Sequence, residues 1–427
     1  MMAAGRAAEL GAKVLLLEKT EQPGKKILIS GSTRCNLTNA QPLDKFIVMY
    51  GLNGRFLYST FHHFFRDELL EMLKCYQVEF QTEADGRIFP ISNNASDVVD
   101  ALKCYMSNHG VQIKTGFKVT GIQVKNDQVT GVRTEKGTYS AKAVIMATGG
   151  ASYPATGSSG DGYRMAAALG HTIIKLRPSL IPLTVREAGI AKSMQGISLR
   201  NIRLTAYQGT PKQIDDFLAP TTDSGRGTGK KPRHPIIESR QGDLVITHFG
   251  VSGPLALKMS LSIIDALEKG PVSITIDLMP DTTEKQLDEQ MRHDFDRYGK
   301  RTCKRVLSDL LQPKMIKPFL DMTGIPATKQ THQITVEERK RLVKLLKSLR
   351  FTIEESLPLT SAMVTAGGIS LKEINPKTME SSLIKGLFFC GEVIDIDAET
   401  GGYNLQAAFS TGYMAGEKAL SLINANL

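Results

Sequence analysis

An α/β fold, with a middle segment inserted into a domain built from both chain ends, is what this 427-residue sequence predicts. Three observations predict it. Residues 1–18 read as a small-residue helix (MMAAGRAAEL), a glycine stop at Gly11 and an apolar strand, VLLLE, ending in Glu18. That is the second half of a Rossmann-like, dinucleotide-binding βαβ unit, whose strand-end acid accepts hydrogen bonds from a ribose. Short apolar strands then alternate with helical stretches to residue 169, and this pattern returns near the C-terminus. Between them, from Arg177-Pro178 onward, strand-like pieces give way to a strongly charged helical stretch.

In order along the chain, residues 19–39 read as a loop and a helix start. Residues 55–78 read as an amphipathic helical region with its aromatic residues on one side. Residues 81–90 and 111–137 alternate in polarity and carry turn signals at Asp85-Gly86 and Asn126-Asp127, predicting hairpins on either side of a helix over 95–109. An apolar strand over 141–147 stops at Thr148-Gly149-Gly150, and a helix opens near Gly160. Residues 180–207 and 243–277 are strand-like, and 280–350 are helical. Strands resume at Ile353, a buried strand covers 387–390, and a helix covers 405–422. The spacing therefore predicts one discontinuous domain from 1–176 and 353–427, with inserted segments at 177–280 and 281–352.

The first strand and G-x-G-x-x-G turn of the βαβ unit do not occur in the residues as written. The sequence accordingly predicts about 20 further residues upstream, the length of the missing piece of such a unit. It also predicts that the chain as it stands holds its dinucleotide weakly.

No run approaches the ~20 apolar residues of a membrane span. Five scattered cysteines offer neither a C-x-x-C pair nor metal-ligand spacing, which with the absence of an apolar leader predicts a cytoplasmic protein. The net charge is +10. Its excess in residues 225–233 (GRGTGKKPR) and 338–350 lacks interleaved aromatic residues, which favours a solvated basic surface over a nucleic-acid site. A nucleic-acid-associated protein stays as an alternative.

Three longer segments carry chemistry. Residues 23–39 (PGKKILISGSTRCNLTN), 145–171 (IMATGGASYPATGSSGDGYRMAAALGH) and 388–416 (FFCGEVIDIDAETGGYNLQAAFSTGYMAG) together resemble the HI0933-like (YhiN-like, BaiN-type) family of bacterial flavoproteins, over essentially the whole chain. Two departures stand out: Ser32 and Thr33 replace family glycines, and Ala398 replaces another. The resemblance implies a Rossmann-like FAD-binding domain with an inserted β-barrel followed by helices, and FAD as the tightly held group. Glu18 agrees, since a ribose partner implies an adenosine moiety and disfavours FMN.

By this resemblance Glu18 and Lys19 hold the adenosine end. Ser30, Gly31, Arg34, Cys35, Asn36 and Thr38 meet the pyrophosphate and flavin edge, where Arg34 could pair with a phosphate. Val119, Ala147, Thr148, Gly149, Gly150, Gly157 and Asp161 bring the chain across the cofactor a second time. Gly391, Glu392, Gly401, Gly402, Tyr403, Asn404 and Leu405 place a helix N-terminus, with its free N–H groups, at the flavin. Cys35 and Cys390 read as buried inert thiols. His248, Tyr153 and Tyr403 are the candidates for proton transfer to a substrate. The expected activity is hydride exchange with a small organic substrate, with NAD(P)H as a transient reductant. Amine oxidation by O₂ is the alternative.

Overall fold

The computed structural model describes residues 1–218 and 235–425. The chain divides into two compact units, Met1–Pro178 with Leu359–Leu427, and Ser179–Pro358. No helix of the described residues is long and apolar enough to cross a membrane.

In the first unit the small residues at the N-terminus have a packing reason. The helix Met2–Glu9 lies against the long helix Tyr403–Ala425 and the helix Ala95–Asn108. A Cβ at Gly416 would stand 2.4 Å from the Ala3 carbonyl oxygen, and one at Gly5 would stand 2.4 Å from the Tyr105 ring. After Gly11 (φ 100°) the strand Leu15–Glu18 pairs in parallel with Gln112–Thr115, Glu18 opposite Thr115. A second parallel pair joins Leu387–Phe389 to Val144–Met146. Phe46, Leu57, Phe61, Phe389 and Tyr403 fill the core beneath it.

The second unit is a closed six-stranded barrel in the order Leu183–Val185, Gly250–Ser252, Ile236–Ile246, Ser198–Gln208, Val272–Asp277, Leu349–Ser356. Its first and last strands pair, so no edge is left open.

Several sequence expectations need correction. The segment 111–137 is not all hairpin: Gln112–Thr115 joins the parallel pair, because the helix before it carries the chain back across. The meander is Val119–Lys125, Gln128–Thr134 and Gly137–Ser140. The helical region 55–78 breaks at Phe64, which is extended, and Phe65, which is also non-helical, into Tyr58–His63 and Arg66–Lys74. Within 243–277 lies the helix Gly253–Leu267, whose buried Leu255, Ala256, Met259, Ile263 and Ala266 follow helical spacing. Strand Leu349–Ser356 closes the barrel and so moves the boundary from 353 to Leu359. The helices of 281–352 are not a separate body, since Leu287, Met291, Phe319, Leu342 and Leu346 share one core with Ile274, Ile276 and Phe351 of the barrel. The basic stretch 225–233 lies outside the described residues.

Candidate functional site

Where the strand Leu15–Glu18 ends, the Glu18 carboxylate accepts the Thr20 N–H at 2.7 Å. The Gly157 turn lies beside it: a Cβ there would stand 3.4 Å from Thr20 Cγ2 and 3.7 Å from Glu18 Oε1 and Lys19 Cε. Lys19 Nζ donates to Ser159 Oγ at 2.5 Å and pairs with Asp161 Oδ2 at 2.8 Å. Asp161 opens the helix Asp161–Ala167, where an acid also suits the positive helix end. Burial works to raise the Asp161 carboxyl, but Lys19, Ser159 and Arg164 outweigh it and hold the group at about 2. Residues up to 142 positions apart in the chain thus bond to one another in one polar corner at the end of the first strand.

A second cluster surrounds Glu392. Its carboxylate accepts from Lys26 Nζ (2.5 Å), the Gly150 N–H (3.2 Å), the Thr365 N–H (2.9 Å) and the Ser152 hydroxyl (3.3 Å). Lys26 also donates to Ser152 Oγ at 2.7 Å, and the Thr365 hydroxyl accepts the Ala151 N–H at 2.9 Å. Gly150 must be glycine, because a Cβ would stand 2.5 Å from Thr365 Oγ1. Gly162 must be too, since Thr148 Oγ1 would be 2.0 Å away. The Thr148 hydroxyl is enclosed and has no partner, whereas Ala147 is exposed. Exposure along this stretch falls from Ala147, which is exposed, through Thr148 and Gly149 to the buried Gly150.

The third cluster joins residues 30–39 to the start of the last helix. Gly31, Ser32, Thr33 and Cys35 all have left-handed backbone (φ 56°, 57°, 70° and 61°). Side chains there are costly, most of all the β-branched Thr33. The loop is held by Cys35 N–H to the Ser30 carbonyl (3.0 Å) and Ala95 N–H to the Thr33 carbonyl (2.8 Å). The Ser30 hydroxyl donates to the Ile27 carbonyl at 2.7 Å. The Asn36 amide donates to the Thr38 carbonyl (3.1 Å) and accepts the Gly402 N–H (3.0 Å), and Asn39 donates to the Gly401 carbonyl (3.1 Å). A Cβ on Gly402 would stand 2.4 Å from the Thr38 carbonyl oxygen. Asn404 closes the turn by bonding both the N–H and the carbonyl of Ala398, at 2.9 and 2.8 Å. Leu405 follows in the first turn of the helix, and Gly391 donates its N–H to Thr411 Oγ1 at 3.0 Å.

Some expected site residues stand apart from these clusters. Arg34 is turned to Glu83 (2.8 Å) and Asn93 (3.3 Å), with its guanidinium 4.0 Å over the Phe89 ring, so a carboxylate already takes the place expected for a phosphate. Val119 begins the meander strand, half-buried. Tyr403 is buried with its ring 4.6 Å from that of Phe46, and burial, aided by Glu399 and Asp85, raises its phenol. It is a poor proton donor in that setting. Tyr153 is exposed and left-handed (φ 50°) one residue beyond Ser152. His248 is exposed on the turn between two barrel strands. Burial raises the Cys35 thiol to about 12 and Cys390 to about 11, which suits inert thiols. Sequence reasoning missed Lys26, Ser152 and Thr365. Lys26 and Ser152 sit inside quoted motifs, while nothing marked Thr365 as a partner of Glu392.

A model of the HI0933-like protein Rossmann domain matches residues 1–418. The chain is 29% identical over 409 residues to a 3-dehydro-bile acid delta(4,6)-reductase of Clostridium scindens, covering 96% of this chain and 93% of that one. It is 27% identical over 417 residues to a ribosomal RNA dihydrouridine synthase of Haemophilus influenzae, covering 97% and 94%. To the ribosomal RNA dihydrouridine synthase of Escherichia coli it is 25% identical over 423 residues, covering 99% and 95%. Among solved structures, Mycobacterium smegmatis Sdh1 aligns with a TM-score of 0.50 at 14% identity, over 99% of this chain and 67% of that one, a likeness of fold alone.

Proposed function

The chain belongs to the HI0933-like Rossmann-domain family, and from that premise we propose that it is an FAD-dependent reductase of carbon–carbon double bonds conjugated to a carbonyl. The observation that carries the reading is a chemistry common to two differently named relatives. A delta(4,6)-reductase and a dihydrouridine synthase both saturate a C=C bond polarised by a neighbouring carbonyl, and each aligns over more than nine-tenths of both chains.

The residues fit FAD. Ala147 is exposed and Gly149 (φ 70°) carries no Cβ, which suits close approach of a dinucleotide to the backbone there. Glu18 retains acceptor capacity beside its bond to Thr20, enough for a ribose hydroxyl. The start of the last helix offers N–H groups to the flavin end. Bound FAD would supply a hydride to the β-carbon, after taking one from NAD(P)H.

The protein's part is to hold the substrate and deliver a proton to the α-carbon, so that hydride and proton together complete the two-electron reduction. Tyr153 is our candidate donor. Its left-handed backbone is held between Ser152, anchored on Glu392, and Pro154, and its N–H is bonded to the Thr360 carbonyl at 3.1 Å. Strain of that kind at an exposed side chain next to a glycine strip marks a functional position. His248 is the second candidate.

Anaerobic reduction by NADH or NADPH, then reoxidation by a steroid 4,6-dien-3-one, by uridine-containing RNA or by O₂, tests the reading. Reoxidation by O₂ alone would replace it with amine oxidation. A second reading, uridine in RNA as the substrate, is favoured by the net charge of +10 together with the two RNA-modifying relatives.

A further inference from the structure

The positive charge of this protein is concentrated, and its focus is not the stretch the sequence first suggested. Residues 291–350 hold fifteen Lys and Arg against six Asp and Glu. Within them, residues 297–308 (RYGKRTCKRVLS) contain five cations and no acid. Arg297, Lys300, Arg301, Lys304 and Arg305 are all exposed, and among the described residues none of the five is paired with a carboxylate. Six of the other ten cations are committed: Arg339 to Asp288, Lys347 to Asp277, Lys329 to Glu338, Lys317 to Asp321, and Lys344 and Arg350 to Asp215.

The backbone beneath these five side chains is fixed. Arg301 N–H donates to the Tyr298 carbonyl (2.7 Å), Thr331 N–H to the Arg301 carbonyl (3.0 Å), and Cys303 N–H to the Lys329 carbonyl (2.8 Å). The Thr331 hydroxyl donates to the Tyr298 carbonyl at 2.8 Å and His332 Nδ1 to the Gly299 carbonyl at 2.6 Å. Arg301 and Arg297 lie over the Tyr298 ring at 4.3 and 5.3 Å, which orients two guanidinium planes and supplies the aromatic residue that the other basic stretches lack.

We propose that residues 297–305 form a docking surface for the phosphate backbone of RNA. Preorganised, unpaired cations lower the cost of binding a polyanion. No large exposed apolar side chain occurs in 297–308, which disfavours a membrane surface, where anchoring needs apolar insertion. The two guanidinium groups over Tyr298 have the planar donor fork that matches phosphate oxygens. The inference rests on the RNA reading above and adds to it the surface that holds the substrate.

The test measures anisotropy of a fluorescein-labelled RNA hairpin with the full chain, across a salt series. Three proteins are compared: wild type, Arg301→Ala/Lys304→Ala/Arg305→Ala, and a control of equal charge change, Lys45→Ala/Lys74→Ala/Lys125→Ala. The expected result is at least ~10-fold weaker binding for the first variant, a salt slope smaller by about 2–3, and little change for the control. Lys304→Glu alone, at an exposed position, should weaken binding in the same direction. Wild type that ignores RNA at low salt overturns both this inference and the RNA reading. Equal losses in the two triple variants, or none in the first, overturn the inference and leave the RNA reading standing. Loss of binding to phosphatidylglycerol vesicles, with RNA binding unchanged, would assign the surface to lipid and overturn it too.

Discussion

Single side chains in this protein carry roles that only their partners reveal. Glu392 looks from its strand-end glycine like a cofactor contact, yet it holds Lys26, Ser152 and two backbone N–H groups together. Glu392→Ala strands those donors in a half-buried site and should lower stability by about 2 kcal/mol, read as a loss of Tm. Glu18→Ala should weaken FAD binding by roughly tenfold or more, from lost charge-assisted hydrogen bonds, measured by FAD retention on dialysis. Tyr153→Phe keeps the ring and removes the proton. If Tyr153 is the donor, flavin reduction by NAD(P)H stays near wild type while substrate-driven reoxidation falls by about 10²-fold or more. Unchanged reoxidation would move the role to His248, whose alanine variant should spare FAD binding and lower turnover.

Among the elements, the loop 31–35 and the turn 401–402 face opposite demands. Ser32 and Thr33 occupy left-handed backbone that glycine adopts freely. Thr33→Gly should therefore stabilise the protein by up to about 1 kcal/mol in a thermal or urea melt. Gly402→Ala should do the reverse, since φ is 94° and a Cβ would stand 2.4 Å from the Thr38 carbonyl. Its loss would part residues 36–39 from the last helix, so FAD retention should fall along with Tm. The helix Met2–Glu9 shows the same logic, with close approach to Tyr403–Ala425 possible only because Ala3 faces Gly416.

For the whole molecule, two carboxylates tie distant parts of the first unit and set its acid limit. Glu417 bonds Arg6, His63 and Lys418. Burial works to raise it, but those partners outweigh burial and hold it at about 2, as Asp161 is held by Lys19, Ser159 and Arg164. Both folded values lie below the ordinary carboxyl range near 4. Their stabilisation is complete above that range and is lost as pH falls from about 4 through 2. Tm should drop across that window, and Glu417→Gln should make the drop shallower. The sequence by itself determined the elements whose cause is local: the small-residue helix, the strand ending in Glu18, the glycine turns at 149–150 and 401–402, and the family to which their order belongs. Gly157 and Asp161 were legible as turn and helix start, but their place beside Glu18 and Lys19 was not, because those contacts span about 140 residues. Arg34 read as a phosphate ligand for the same reason, since only folding brings Glu83 and Phe89 to it. The closure of the barrel by Leu349–Ser356, and the network of Glu392 with Lys26 and Thr365, were decided by the tertiary structure alone. Periodicity reports which face of a segment is apolar, and pairing partners far apart in sequence are selected only when those faces pack.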